Sequence, residues 1–470
     1  MRPQTIVNRI LLVLSTLLST VLAHVSSPPT DATTAASPAE QTVVSLTFDD
    51  GNDNQKQAAD ILTKARMPGT FYVPSGLIDS PGHLSLSNLR AMAAAGHEIG
   101  GHTIHHPDLT AVSSAEATRQ ICDDRAALVT WGFFVRSFAY PYARSNAAVE
   151  RTAEECGYNS ARLLGGLERP GGACPGCGHA ETLPPTDPYA TRAPDQVDND
   201  WTLADLQGVV KRAERTGGWV QITFHNICTS GCQISVTPTI LKQFVRWLGP
   251  RHKLGTVVRS VGDAVGGPSR PVVRGPAREP LAPGENGVAN PGMEQIGPDG
   301  TPTCWMRGGY GSNSALHGTS EGRAGRGASV RVTDHVDGDA KWLPTFDMGD
   351  CAPPVMAGRS YSVRSWYTST VPTQFAVYLR DARGAWHYWT SSPWFPATER
   401  FTQAVWRTPR IPDGSTAISA GLNLFSDGTL VTDDHELYDS IGAPPADAPP
   451  IDTPSSTTPR IAGAVDAMIP

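Results

Sequence analysis

The sequence predicts an α/β fold, a distorted (β/α) barrel, followed by an all-β sandwich. Three observations predict it. From about residue 41 to 265, short β-type runs alternate with helical stretches, the pattern of a parallel sheet packed by helices. From about 288 to 441 the helical period disappears and short alternating runs follow one another, as at 359–367, 374–379 and 417–425. The chain has 470 residues, and a single core rarely grows past about 250–300, so two domains are expected.

Taken in chain order, residues 1–23 read as a signal peptide. Arg2 and Arg9 precede an apolar stretch over 10–22, and Val21-Leu22-Ala23 offers small residues for cleavage. That stretch falls short of the roughly 20 residues that span a bilayer. No later segment is long enough either, so a secreted, extracellular protein is expected, with no transmembrane segment in its mature chain. Residues 24–40 are Ser/Thr/Pro/Ala-rich and read as a disordered leader. The barrel domain, 41–265, has strand runs at 43–48, 69–73, 98–102, 135–140, 219–225 and 254–258. Helical segments fit between them at 55–65, 85–95, 113–129, 146–155, 202–215 and 238–248. A Pro/Gly-rich linker covers 266–287. The sandwich, 288–441, holds seven tryptophans: Trp305, Trp342, Trp366, Trp386, Trp389, Trp394 and Trp406. Residues 442–470 are again Pro/Thr/Ala-rich and expected to be disordered.

A net charge of −7 and a pI near 6.0 leave no basic surface for nucleic acid or anionic membranes. Nothing in the sequence demands more than a monomer. Eight cysteines in an exported chain point to disulfides. Pairing neighbours gives Cys122–Cys156, Cys174–Cys177, Cys228–Cys232 and Cys304–Cys351. The Cys174-Pro-Gly-Cys177 run has no second CxxC to complete a zinc site, so a loop-closing disulfide is its reading.

The chemistry concentrates in four short runs. In Thr47-Phe48-Asp49-Asp50-Gly51, two carboxylates close an apolar β run. In His102-Thr103-Ile104-His105-His106-Pro107, His102 and His106 stand four apart, the spacing of one face of a helical turn. Two His and one carboxylate, Asp50, make a three-ligand set with room for water, which suits a catalytic zinc better than a closed structural one. Asp49 is then free to act as a base. Adjacent strand residues point opposite ways, so both carboxylates serve one site only if the chain turns, which Gly51 permits. His105 is expected to point away, as a group that supports the ligands or is incidental. A third run ends in Tyr140-Pro141-Tyr142, where the Tyr142 N–H is a candidate oxyanion donor. A fourth ends in His225, a candidate general acid. Each run alone reads blandly, as a solvated turn, a His-rich surface turn, core aromatics or a structural histidine.

Together, in this order and spacing, the runs make residues 41–265 resemble the polysaccharide deacetylase family, also called carbohydrate esterase family 4 or the NodB-homology domain. The resemblance implies Asp49 as catalytic base, Asp50, His102 and His106 as ligands of a divalent metal, usually zinc, and His225 as catalytic acid. Tyr140 and Pro141 would line the substrate beside Tyr142. Two departures stand out. Ala139 occupies the Arg position of the family's R-x-P-Y motif, and Val197 occupies the first Asp position of D-x-x-D-W, here Val197-Asp198-Asn199-Asp200-Trp201. A buried charge stripped of its partner costs about 3–5 kcal/mol. Losing both groups together is milder, and suggests another support for Asp49. Asp198 would substitute from one position on, Asp200 would orient His225, and Trp201 would wall the acetyl pocket or pack in the core.

The C-terminal block resembles secreted carbohydrate-binding sandwiches. Trp386, Tyr388, Trp389 and Trp394 suggest stacking on sugar rings, with core packing equally open. Asp433-Asp434-His435-Glu436 reads as a solvated acidic turn ahead of a calcium site. The implied protein is a secreted metal-dependent hydrolase of carbon–nitrogen (non-peptide) bonds. It would remove N-acetyl groups from a polysaccharide or oligosaccharide containing N-acetylglucosamine, such as chitin, its oligomers, peptidoglycan or exopolysaccharide. Two alternatives stay open: an O-acetyl esterase on acetylated xylan, and a catalytically inactive carbohydrate-binding protein, favoured only by the missing Arg. A zinc peptidase is disfavoured because the sequence contains no HExxH run.

Overall fold

Strand β1 (Thr42–Phe48) is buried at all seven residues, as expected of a central parallel strand covered on both faces. Its polar side chains are satisfied inside: Thr47 Oγ1 lies 3.0 Å from Thr223 Oγ1, and Trp219 Nε1 donates to Ser45 Oγ at 2.9 Å. The computed structural model describes residues 41–452 except Ala173 and Pro175. The expected signal peptide and leader therefore lie outside the described residues.

After β1 the elements alternate: α1 (Gln55–Ala65), β2 (Thr70–Val73), α2 (Leu86–Ala94), β3 (Glu98–Gly101), α3 (Ser114–Thr130), β4 (Ser137–Ala139), α4 (Ala147–Glu155) and β5 (Ser160–Arg162). Then follow α5 (Leu203–Ala213), β6 (Gly218–Phe224), β7 (Asn226–Ile227), β8 (Ser235–Val236), α6 (Pro238–Leu248), β9 (Thr256–Val258) and α7 (Val261–Val265). Helix starts follow their local chemistry. Ser85 and Thr202 make capping boxes for α2 and α5, and Thr237 caps α6 just before Pro238. The sheet runs β5-β4-β3-β2-β1-β6, all parallel, with β9 beside the first half of β1. Between β5 and β6 the ring is closed by irregular chain. Leu163 N donates to Thr191 O (2.9 Å), Val197 N to Thr223 O (2.8 Å), and Glu181 and Trp219 exchange two backbone bonds of 2.7 Å. This is the distortion of the barrel. The three-residue β5 was not foreseen in the sequence.

The chain then runs extended along α3 and α4. Arg125, fully buried, donates to the carbonyls of Arg270 (2.8 Å) and Pro271 (3.0 Å), and Gly275 N donates to Asp123 Oδ1 (3.1 Å). The C-terminal strands are β10 (Trp305–Tyr310), β11 (Ser314–Glu321), β12 (Arg326–Thr333), β13 (Asp339–Pro344), β14 (Tyr361–Ser369), β15 (Gln374–Asp381), β16 (Trp386–Ser391), β17 (Thr398–Arg407), β18 (Ser415–Leu424), β19 (Gly428–Asp439) and β20 (Ile451–Asp452). They form two sheets, β10-β13-β18-β15-β16 and β11-β12-β19-β14-β17-β20, antiparallel except for β17–β20. Their shared core includes Trp305, Trp342, Phe375 and Trp406. This is the expected sandwich. The tail is ordered further than composition suggested. Arg364 Nη2 donates to Pro444 O (2.6 Å), Asp447 N donates to Gln403 Oε1 (2.8 Å), and β20 pairs with β17.

The cysteines pair as Cys122–Cys156, Cys174–Cys177, Cys228–Cys232 and Cys304–Cys351. Among the described residues no helix is long and apolar enough to cross a membrane. Barrel and sandwich fall within one compact unit.

Candidate active site

The carboxyl ends of β1, β3, β4 and β6 open on a cleft of about 810 Å³ lined by Asp49, Asp50, His102, His106, Tyr140, Tyr142 and His225, among others. The chain turns immediately after β1: Asp50 (φ 74°) and Gly51 (φ 66°) are both left-handed. The turn brings both carboxylates to one site. His102 and His106 do not share a helical turn. The segment is a loop in which Thr103 (φ 68°) and His106 (φ 59°) are left-handed, and this swings the second imidazole back over the first, ring centroids 4.7 Å apart. Tyr142 (φ 56°) and Ala143 (φ 51°) close the opposite lip in the same conformation. Non-glycine residues held there cost about 1–3 kcal/mol each and gather where function demands the geometry.

Asp50 Oδ1 stands 3.3 Å from His102 Nε2 and 3.3 Å from His106 Nε2. Ligands of a tetrahedral zinc with bonds of about 2.0–2.1 Å stand about 3.3 Å apart, so the donor set fits such an ion. One donor atom from each of the three residues lies within 4.8 Å of the others. His102 Nδ1 lies 2.7 Å from the carbonyl of Ala139, which aims Nε2 at the site, the usual second contact of a metal-ligating imidazole. Burial would raise the Asp50 carboxyl, but the His102 and His106 imidazoles and the charge of His225 outweigh it and hold it well below its usual range.

Asp49 is buried, and the Arg162 guanidinium at the end of β5 holds its Oδ2. Arg162 is the support that the sequence left unassigned. It is the register partner of Ala139 on the neighbouring parallel strand, and register partners present side chains to the same face. The guanidinium therefore stands one strand sideways from the Ala139 position, at the same level in the barrel. Asp49 Oδ1 and His225 Nδ1 are buried without partners, and His225 Nε2 lies 4.0 Å from Asp49 Oδ2. Gln55, at the start of α1, ties the two strand ends together, its Nε2 donating to the carbonyls of Asp49 and, at 2.9 Å, His225. Sequence reading missed Gln55 as well.

Several expectations are corrected. Asp198 and Asp200 are exposed and contact neither Asp49 nor His225. Asp195 and Gln196 line the cleft instead, with Asp195 paired to Arg169 at 2.7 Å. Of the two readings of Trp201, the barrel core is where it lies. His105 points away from the donor set, in the supporting one of its two expected roles: Gln120 Nε2 lies 3.2 Å from its Nδ1, and its Nε2 lies 2.6 Å from Gly384 O of the sandwich. Burial lowers its pKa to about 4, which keeps the ring neutral. The four aromatics read as either sugar-stacking or core residues take different surroundings. Trp386 is buried and stacks on Phe346 (4.6 Å), and Tyr388 and Trp389 pack against two different clusters. Trp394 is 51% exposed, edge-on to Phe425. The 433–436 run is a strand rather than an acidic turn. Asp433, fully buried, accepts from Arg323 N and Ala324 N, and Arg364 pairs with Glu436 at 3.2 Å.

Residues 36–161 match a family model described as Polysaccharide deacetylase. Over 87 residues the chain is 40% identical to a chitooligosaccharide deacetylase of Rhizobium leguminosarum bv. trifolii, covering 18% of this chain and 39% of that protein. Over 134 residues it is 28% identical to a peptidoglycan-N-acetylglucosamine deacetylase of Bacillus cereus, covering 28% of this chain and 61% of that one. Over these residues the barrel domain is similar to the polysaccharide deacetylase family. The chain spans less than half the length of the first of these relatives and somewhat more than half of the second. Among solved structures, peptidoglycan deacetylase PdaC from Bacillus subtilis overlays 48% of this chain and 92% of its own, at 22% identity and a TM-score of 0.32.

Proposed function

We propose that this protein is an exported, metal-dependent deacetylase that hydrolyses N-acetyl groups of a glycan built on N-acetylglucosamine, with zinc as the metal. One observation carries the reading. Asp50 Oδ1 stands at the edge length of a tetrahedral site from the Nε2 of both His102 and His106, beside a buried carboxylate whose second oxygen is left unpartnered. The names of the relatives, chitooligosaccharide and peptidoglycan deacetylases, support the substrate class. Four disulfides support an oxidising compartment.

Asp50, His102 and His106 would hold the metal, which when bound supplies Lewis-acid polarisation of the acetyl carbonyl and acidifies water. Asp49 takes the proton from the attacking water, with Arg162 fixing its orientation and Gln55 fixing the strand end that carries it. The Tyr142 N–H, on the left-handed lip, donates to the carbonyl oxygen as charge develops there. His225, across the cleft, protonates the leaving nitrogen. Tyr140 and Pro141 shape the wall; the Tyr140 hydroxyl is spoken for, donating to Tyr189 O at 2.9 Å. The missing Arg was the sole reason to favour an inactive sugar-binding protein, and Arg162 beside Asp49 weighs against that reading.

The test is acetate release by the zinc-restored protein from chitooligosaccharides, peptidoglycan and acetylated xylan, with His106→Ala as control. Release from an N-acetylated glycan, lost in the variant, is expected. Release from the xylan alone would replace the amide with an ester, and no release from any substrate would overturn the reading.

A further inference from the structure

The loop that carries His102 and His106 is not held by the barrel alone. Its two left-handed non-glycine residues need surrounding structure to hold them. Barrel groups supply part of it: His102 N donates to Asp124 Oδ2 (3.1 Å) and Ser75 N to Thr103 O (3.2 Å). The middle of the loop is held by Gly76 N, which donates to Ile104 O (3.0 Å), and by Gln120. Gln120 Oε1 accepts from Ile104 N (3.1 Å) and His105 N (2.9 Å), while its Nε2 serves Glu116 Oε1 (2.9 Å) and His105 Nδ1. Glu116 Oε1 in turn accepts from Met348 N of the sandwich at 2.7 Å. A second route is direct, His105 Nε2 to Gly384 O at 2.6 Å. Gly384 sits in a tight turn fixed by Asp381, whose Oδ1 accepts from Arg383 N (2.8 Å) and Ala385 N (3.0 Å). A Cβ on Gly384 would stand 2.7 Å from Ile104 Cγ2.

We propose that the C-terminal sandwich is a working part of the metal site. Its 381–385 turn and 345–351 loop hold the 102–106 loop in the conformation that presents both imidazoles, with His105, Gln120 and Glu116 as positioning residues. The proposal rests on the assignment of His102 and His106 as metal ligands. A sandwich that did nothing but bind sugar would need no contact between those two ligands.

The experiment uses the full chain and the metal alone. Affinity for zinc, by competition with a chelator, and the visible spectrum of the cobalt form are measured for the native protein, His105→Phe and Gly384→Leu. His105→Gln, which keeps a donor and an acceptor, is the rescue. Loss of such outer contacts weakens metal binding by about 10–100-fold. That loss is expected in His105→Phe and Gly384→Leu, with partial return in His105→Gln. Without any substitution, metal loading should slow amide exchange in 381–385 as well as in 102–106, because coupling is reciprocal. Native-like affinity and spectra in both variants, or protection confined to the barrel, would overturn the proposal. No metal binding by the native protein would instead overturn the ligand assignment, and this proposal with it.

Discussion

Barrel mouth and barrel–sandwich seam both bury charge, and they complete it in opposite ways. At the mouth, Asp49 Oδ1, His225 Nδ1 and Gln55 Oε1 are buried and left without partners. At the seam, both carboxylate oxygens of Glu116 and of Asp347 are used. Glu116 meets Arg119, Gln120 and Met348 N, and Asp347 accepts from Gly349, Cys351 and Ala352. Buried polar groups normally find partners, and exceptions need a reason. Open valences here mark where a substrate is to be met; closed ones mark where shape is to be kept.

The strongest way to break that contrast is Asp49→Asn. General-base catalysis contributes about 10²–10⁴-fold, so kcat should fall by that order while zinc content stays native. A variant that kept its kcat would make the open oxygen incidental. Next comes Arg162→Met, which leaves Asp49 buried and unpaired. Breaking a buried pair costs about 3–5 kcal/mol, a loss that urea unfolding would read directly. A change no larger than the roughly 0.5 kcal/mol of an ordinary surface substitution would show that the pair does not hold the base.

The smallest effect belongs to the seam. Burial, reinforced by the Glu116 charge, raises the Asp347 carboxyl from its ordinary 3.8 to about 7. The folded protein therefore keeps a proton that the unfolded chain gives up. This contribution is fully present below pH 3.8 and is lost as pH rises towards about 7. Asp347→Asn should flatten the decline across that window in urea midpoints taken at several pH values. An unchanged slope would place the titration elsewhere.

The two regions also differed in how far the sequence revealed them. The mouth was legible because its residues close strand runs and stand at fixed spacing: Asp49, Asp50, His102, His106 and His225 all reach one cleft. Its geometry was less legible. A four-residue spacing suggests a helical turn, whereas the loop uses two left-handed residues, which no period in the sequence records. Arg162 escaped because β5 has three residues, too few for an alternation, and its identity as partner of Ala139 exists only in the sheet register. Asp198 and Asp200 misled for the converse reason. They sit near a motif in sequence but on the outer side of the segment that closes the ring. The seam was nearly silent, since Gln120 and Gly384 lie 264 positions apart and neither carries a pattern.

The sideways position of the guanidinium also constrains ancestry. A lineage that carries Arg on β4 and one that carries it on β5 are separated by two substitutions. The intermediate has either two guanidiniums facing one carboxylate in the same buried layer, or none. The first gives each guanidinium an oxygen of Asp49 to meet, Oδ1 being unpartnered here, whereas the second leaves a buried anion, a strongly disfavoured state. The two arrangements are thus neighbours in space, and a chain passing between them would more readily carry both guanidiniums than neither.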